Sequence, residues 1–351
     1  MTRLLQITEY VEDATRVATL PLPWDKLRGK TILITGGTGL VGSFLIDVLA
    51  AANLGCTVIL FGRSEQKAKM RFGEYWGKKW LKFVKWDSGA SALPAVDMPV
   101  DYVLHLASNT HPVAYATDPI GTIATNVIAL NNLLSLAADK NVCRFLFASS
   151  NEIYGENRGD IELFDEKYCG YIDCNTLRAG YPESKRCGEA LCQAYIHQKG
   201  LDCVIARLTR TYGPAVLPSD TKAISQFFNN ALHGENIVLK SDGSQHYSYQ
   251  YVSDSVSGLL TVLLKGGSGD AYNIAAESGD ITLCNLATLI AGYVGCRVVF
   301  ELPGLVEAAG FSKATKARLD GAKLMSLGWW PYYCIASGVA RNLSILRNLI
   351  D

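Results

Sequence analysis

The chain has 351 residues, with 33 basic and 33 acidic side chains and a formal net charge of zero. That length supports a large core and two lobes, and the charge balance removes the electrostatic case for nucleic acid or an anionic membrane as the main partner. The 10 cysteines form no Cys-x-x-Cys pair and no zinc-like Cys/His spacing, so no metal is expected, and runs such as those around Cys143 and Cys203 read as buried free thiols of a reducing cytoplasm.

The opening stretch "MTRLLQITEYVEDATRVATLPLPW" carries acids in its middle. It reads as an amphipathic helix ending near Pro21 and Pro23, not as a signal peptide. No apolar run is read as long enough to span a bilayer. From Lys30 short apolar runs alternate with helical periods. "TILITG", "TVILFG", "LKFVKWD", "DYVLHLAS", "RFLFASS" and "DCVIARL" read as strands, most of them separated by helices. Continuous apolar strands alternating with helices predict a parallel sheet covered on both faces, in doubly wound order. After Pro214 the alternation breaks. "ISQFFNNAL" and "LCNLATLIAGYV" read as helices, "NIVLK" and "RVVFEL" as short strands of a smaller lobe.

"LITGGTGLVGS" places Gly36, Gly39 and Gly42 after a strand and before a helix. The first glycine suits a tight turn, the second lets backbone approach a diphosphate, and the third lets the helix pack on the strand. The helix N-terminus then offers free N–H groups to the anion. The loop from Gly36 through Thr38, Gly39, Leu40 and Val41 to Gly42 is therefore assigned to a dinucleotide, NAD with NADP possible. The acid that normally closes the second strand is missing; Gly62 and Arg63 stand there. Arg63 either pairs with a 2′-phosphate or stacks on adenine. Asp87 either meets the adenine amino group or caps its own loop. Residues 1–29 form a helical extension, 30–214 the dinucleotide-binding domain, and 215–351 mainly a second lobe, with 246–275 returning to the first.

"YPESK" puts Tyr181 and Lys185 four apart, on one face of a helix. A nearby ammonium favours phenolate, so the pair suits an acid or base. His105, His111 and His246 show no metal-like grouping.

The glycine loop, "FASSNEIYG" and "YPESK" together resemble the extended short-chain dehydrogenase/reductases that modify nucleotide sugars. The likeness runs from about Lys30 nearly to the end, through "TYGP", "YQYVSD" and "LGW". Within that superfamily the chain is most similar to UDP-glucuronate decarboxylases and their epimerase/dehydratase relatives. The fold implied is a Rossmann-type α/β doubly wound sheet with a smaller C-terminal α/β substrate lobe. The resemblance implies that Ser150 binds the sugar hydroxyl and Tyr181 takes its proton. It makes Lys185 the group that lowers the tyrosine pKa and holds the nicotinamide ribose. "HLASNTHPVAYATDPIGTIATN" is similar to the segment that wraps the sugar in those enzymes. By the same resemblance Ala107, Tyr181 and Lys185 are assigned to the cofactor, and Ser108, Tyr115, Asn151, Arg210, Lys222 and Tyr247 to the substrate.

Relatives that dehydrate carry Asp-Glu after the Ser/Thr, and decarboxylases carry Ser-Glu. This chain has Asn151-Glu152. Glu152 keeps a base near C5, and Asn151 has no proton to give at neutral pH. A 4-keto glucuronate needs no such acid, so decarboxylation through a 4-keto intermediate is the expected activity, with 4-epimerisation or 4,6-dehydration as alternatives. A non-catalytic NAD(P)-sensing protein is the reading from another class. Two departures stand out: Tyr247 lies where relatives usually carry arginine, and Arg210 where decarboxylases commonly have asparagine. A homodimer is expected through "NVIALNNLLSLAA" and the helix of Tyr181.

Overall fold

The computed structural model describes residues 3–89, 92–110, 112–216, 220–301 and 315–350. Its longer strands are β1 (Thr31–Thr35), β2 (Thr57–Gly62), β3 (Leu81–Lys85), β4 (Tyr102–His105), β5 (Arg144–Ser150) and β6 (Cys203–Leu208). Then come β7 (Arg210–Tyr212), β8 (Ile237–Leu239), β9 (His246–Tyr251), β10 (Ala271–Ile274), β11 (Asp280–Thr282), β12 (Val298–Phe300) and β13 (Lys316–Ala317). The first six and β10 form a parallel seven-stranded sheet in the order β10-β6-β5-β4-β1-β2-β3. The chain winds outward from β1 through β2 to β3, then restarts at β4 on the other side. A crevice opens at such a reversal, beyond the carboxyl ends of the strands.

The apolar runs in β1 and β5 follow from cover on both faces. Helix α1 (Thr8–Ala18) stops ahead of Pro21 and packs on α2 (Leu40–Ala52). Ile32 and Ile34 share a core with Phe44 of α2, while Leu33 between them joins the opposite core. Tyr10 donates to Asp47 Oδ2 at 2.6 Å, and Arg71, at the end of α3 (Glu65–Arg71), pairs with the same carboxylate. Buried Asp13 accepts from Tyr251 and Tyr333 hydroxyls at 3.0 and 2.6 Å, and from Arg341 Nε at 3.3 Å on the C-terminal helix Ile335–Ile350. The N-terminal extension is thus fastened both to α2 and to the end of the chain.

On the opposite face α4 (Pro112–Thr117) leads into α5 (Pro119–Asp139), which packs beside α6 (Gly180–Lys199). Helix α5 is long and apolar enough to cross a bilayer by length and composition alone, which amends the sequence reading. Its stripe Ala129, Leu130, Leu133, Leu134 and Ala137 is buried in the core with Phe145 and Phe147, which accounts for that composition.

The smaller lobe holds α7 (Ala223–Leu232), α9 (Leu283–Val294) and two small sheets. The return to the main sheet differs from the expected 246–275. Strand β9 belongs to the small lobe, paired with β7, β11 and β13. The return begins with α8 (Val252–Lys265), buried from Val252 to Leu264, and ends with β10 beside β6. The alternating tyrosines of β9 carry no record of which sheet they join. Cys203 is a buried free thiol as read, but Cys143 is exposed, because it precedes the first residue of β5. His111 lies outside the described residues.

Candidate active site

The glycine loop follows β1. Gly36 has φ +71, and a Cβ there would lie 2.6 Å from the backbone nitrogen of Ala107. Both the turn and the close approach of the chain after β4 therefore require glycine. A Cβ on Gly42 would lie 2.5 Å from the Gly36 carbonyl oxygen and 2.7 Å from Gly37 Cα. The third glycine thus lets α2 pack on the loop itself. Gly39 is different: a Cβ would meet only Gly36 O, at 3.3 Å. It is the N-cap of α2 and offers no side-chain cap, so the first N–H groups of the helix remain available to an anion.

This loop forms one end of a cleft of about 510 Å³. Every site residue assigned from the sequence on the glycine loop, after β2 and β4, on β5, on α6 and in the small lobe lines it; Asp87 does not. The exposed Asp87 carboxylate accepts from Gly89 N at 3.1 Å and caps its own turn. Arg63 is exposed at the lip beside Gly62. Ser108 donates to Asn126 Oδ1 at 2.8 Å, Asn126 donates to Ser184 Oγ at 2.9 Å, and Ser184 donates to the Tyr181 carbonyl at 2.8 Å. This chain of bonds ties the loop after β4 to α6.

At the other end, β5 delivers Ser150 and α6 delivers Tyr181, both buried. Ser150 and Glu152 do not share the face of an extended strand. Ser150 caps a 3₁₀ turn over Asn151–Tyr154, and its Oγ accepts from Glu152 N at 3.2 Å. The cap is what directs Glu152 into the cleft. Burial pushes the Tyr181 phenol up to about 12; a hydrogen bond with Ser150 opposes this, Glu152 adds to it, and Arg178 and Tyr115 oppose it. The Tyr115 ring lies 4.8 Å from that of Tyr181.

Lys185 lies buried beside Tyr181 and makes its hydrogen bond to the strand behind it. Its Nζ sits 5.9 Å from the Tyr181 ring centre and donates to the Ala148 carbonyl at 2.7 Å. Burial pulls its own pKa down to about 7, because an apolar surrounding disfavours the charged form. Beneath it, buried His105 bonds Thr35 Oγ1 through Nδ1 at 2.8 Å. Burial, then Lys185, hold its pKa down to about 3, so it stays neutral.

The sequence reading missed Arg178. It lies in the 3₁₀ turn Leu177–Ala179, three residues before Tyr181. Its Nη2 donates to Glu152 Oε2 at 2.7 Å, and its guanidinium lies 4.6 Å from the Tyr115 ring centre. Arg210 Nη2 approaches Glu152 Oε1 at 3.7 Å. Lys222 pairs with Asp220 at 2.5 Å. The only local signal for Arg178 was a cation just ahead of the "YPESK" helix.

The family model described as NAD dependent epimerase/dehydratase family matches residues 32–275. UDP-glucuronic acid decarboxylase 1 of Xenopus tropicalis is 33% identical over 92% of this chain and 73% of the relative. UDP-glucuronic acid decarboxylase 2 of Arabidopsis thaliana is 31% identical over 93% of this chain and 70% of the relative. Among solved structures, the dTDP-glucose 4,6-dehydratase DesIV of Streptomyces venezuelae, with NAD and TYD bound, superposes with a TM-score of 0.78 at 26% identity, covering 91% of this chain and 97% of that one. UDP-glucuronic acid 4-epimerase of Bacillus cereus, in complex with UDP-glucuronic acid and NAD, shares the fold with a TM-score of 0.75 at 20% identity, covering 91% and 99%.

Proposed function

The chain belongs to the NAD-dependent epimerase/dehydratase family, and from that premise we propose that it oxidises a nucleotide sugar at C4 and then decarboxylates it, with UDP-glucuronate as the substrate. The observation that carries the reading is the convergence of Ser150, Tyr181 and Glu152 at one end of the cleft, with an amide, Asn151, between Ser150 and Glu152. Asn151 accepts from Ser150 at 3.4 Å and offers no acidic proton to expel a C6 hydroxyl. The curated relatives quoted above are decarboxylases.

The loop fits NAD: positions 36 and 42 have no room for a Cβ, and the uncapped start of α2 faces the cleft. Bound there, NAD supplies a reversible hydride acceptor. The residues Gly36–Gly42 hold its diphosphate, and Arg63 meets its adenosine end. Ser150 holds the C4 hydroxyl, and Tyr181 takes the hydroxyl proton. Glu152 faces the neighbouring carbon. Loss of carbon dioxide from the β-keto acid needs no acid to expel it. The enolate left behind takes a proton at C5, and the C4 ketone takes back the hydride with a proton returned by Tyr181, which completes the UDP-pentose.

A second reading, 4-epimerisation, is favoured by one observation: Glu152 is engaged by Arg178, and epimerisation needs no second base. Product analysis after incubating the NAD-loaded protein with UDP-glucuronate separates the two. A UDP-pentose with carbon dioxide supports decarboxylation; a C4 epimer of unchanged mass replaces it with epimerisation; recovery of unaltered substrate rejects both.

A homodimer is also proposed. Ile120, Ile123 and Ile128 of α5 are 82%, 44% and 49% exposed, and Leu177 before α6 is 63% exposed. Ile123 lies against Gly180, where a Cβ would be 3.3 Å from its Cδ1, so the row continues onto α6. The cytoplasm is the proposed compartment, in keeping with ten free thiols.

A further inference from the structure

We infer that Arg210, seated on the ring of Tyr247, is the residue that selects a sugar bearing a carboxylate over its neutral counterpart. The inference rests on the nucleotide-sugar reading above and names the contact that sets its specificity. The Arg210 guanidinium carbon lies 3.5 Å from the centre of the Tyr247 ring. Both residues come from the small lobe, Arg210 on β7 and Tyr247 on the adjacent β9. A ring at that distance fixes the plane of a guanidinium and leaves its edge free to bond.

The charge count at this end of the cleft is unbalanced. Arg178 and Arg210 both face Glu152, at 2.7 and 3.7 Å. Lys222 is already paired with Asp220. Among the described residues, two guanidinium groups against one carboxylate leave one positive charge over. The donors are in surplus as well. Among the described residues, Arg210 Nη1 and Arg178 Nε and Nη1 are buried without a hydrogen-bond partner. A buried guanidinium with vacant donors is costly unless a ligand completes it. A carboxylate matches the fork of a guanidinium in shape and charge.

Ser150 and Tyr181 line the same cleft as this cluster. A sugar whose C4 hydroxyl rests on that pair brings its C5 substituent to the Glu152–Arg210 side. With a carboxylate there, the extra charge is neutralised and the vacant donors are used. With a hydroxymethyl group, neither occurs. Tyr247 serves as a positioning residue, because it acts through Arg210.

The test is equilibrium binding of UDP-glucuronate, UDP-glucose and UDP to the NAD-loaded protein and to its Arg210→Gln and Tyr247→Leu variants. Arg210→Gln should weaken UDP-glucuronate at least 10-fold while changing UDP-glucose and UDP less than about 3-fold, a gap typical of a lost charge-assisted bond. Tyr247→Leu, which leaves the charge in place, should narrow the preference for the acid in the same direction by a smaller factor. It also keeps the question open to measurement if Arg210→Gln fails to fold. Equal losses for all three ligands would place Arg210 on the diphosphate and overturn the inference while leaving the nucleotide-sugar reading intact. An unchanged preference in both variants would overturn it too. Failure of the native protein to bind any of the three ligands would reject the underlying reading and this inference with it.

Discussion

Arg178 and Glu152, 26 residues apart in sequence, meet in the cleft with Nη2 2.7 Å from Oε2. The carboxylate expected to work beside the reacting sugar is thus gripped by a cation that also lies against Tyr115. If the pair acts as a unit, removing either partner should cost similar activity. Arg178→Gln and Glu152→Gln should each lower kcat by about 10²-fold or more. The double variant should fall little further, because residues in direct contact are not additive. A double variant whose loss is the product of the two single losses shows that the residues act independently.

Tyr181 is buried, and its phenol is pushed up to about 12. As the group that takes the sugar proton, it should be needed before any hydride moves. Tyr181→Phe should lower the rate by roughly 10²–10⁴-fold with cofactor affinity intact. Under single turnover no reduced-nicotinamide absorbance should appear. In Glu152→Gln the same absorbance should appear and persist, because oxidation comes first. Native-rate turnover by Glu152→Gln would make 4-epimerisation the better account.

The glycines of the phosphate loop should separate folding from binding. Gly42→Ala forces a Cβ against Gly36 O and Gly37 Cα at 2.5 and 2.7 Å. It should lower both Tm and cofactor affinity. Gly39 meets only one atom, at 3.3 Å. Gly39→Val should leave Tm of the cofactor-free protein nearly unchanged and weaken NAD at least 10-fold by crowding the diphosphate. NAD affinity equal to native in Gly39→Val would remove the loop from the cofactor site.

Much of this was legible because its signals are local. Strand–glycine–helix spacing depends on neighbours within a dozen residues, and Tyr181 and Lys185 share a helical face by spacing alone. What was not legible depends on distant partners. Arg178 gains its place from Glu152 and Tyr115, which arrive on other elements. Strand β9 alternates tyrosines with His246, Ser248 and Gln250, a pattern that does not say which sheet it joins, and it pairs with β7 and β11 and not with the main sheet. The aim of Glu152 follows from a Ser150 cap, a bond that ends the strand alternation of β5. Burial lowers the pKa of Lys185 itself, and burial is a property of the whole fold.

The exposed row of α5 predicts association. Ile120, Ile123 and Ile128 leave apolar surface in water beside Leu177, an arrangement that two-fold pairing of the same surface would cover. Light scattering at micromolar concentration should give twice the chain mass. Ile128→Glu together with Ile123→Glu should give the monomer with its secondary structure retained. A monomeric native protein under those conditions ends the proposal.

Lys185 should be stabilising to remove and fatal to activity. Its ammonium is 2% exposed, and burial pulls its pKa from the ordinary 10.5 to about 7, with Glu189 and Cys192 acting in the opposite direction. Between pH 7 and 10.5 the unfolded chain holds a proton that the folded chain has released. Stability therefore rises with pH across that window, and the cost of the buried ammonium is present in full below about 7. Neutral His105 carries no charge that could offset it. Lys185→Met keeps the volume and removes the charge, at the loss of one bond to the Ala148 carbonyl. In the cofactor-free protein the variant should be more stable by about 1–3 kcal/mol at pH 7, or a Tm rise of roughly 2–4 °C per kcal/mol. The gain over native should shrink toward pH 10 as the native lysine also becomes neutral in the unfolded chain. Turnover should be lost at every pH. A variant less stable than native at pH 7, or a gain that does not depend on pH, means that the ammonium is compensated inside the fold and carries no such cost.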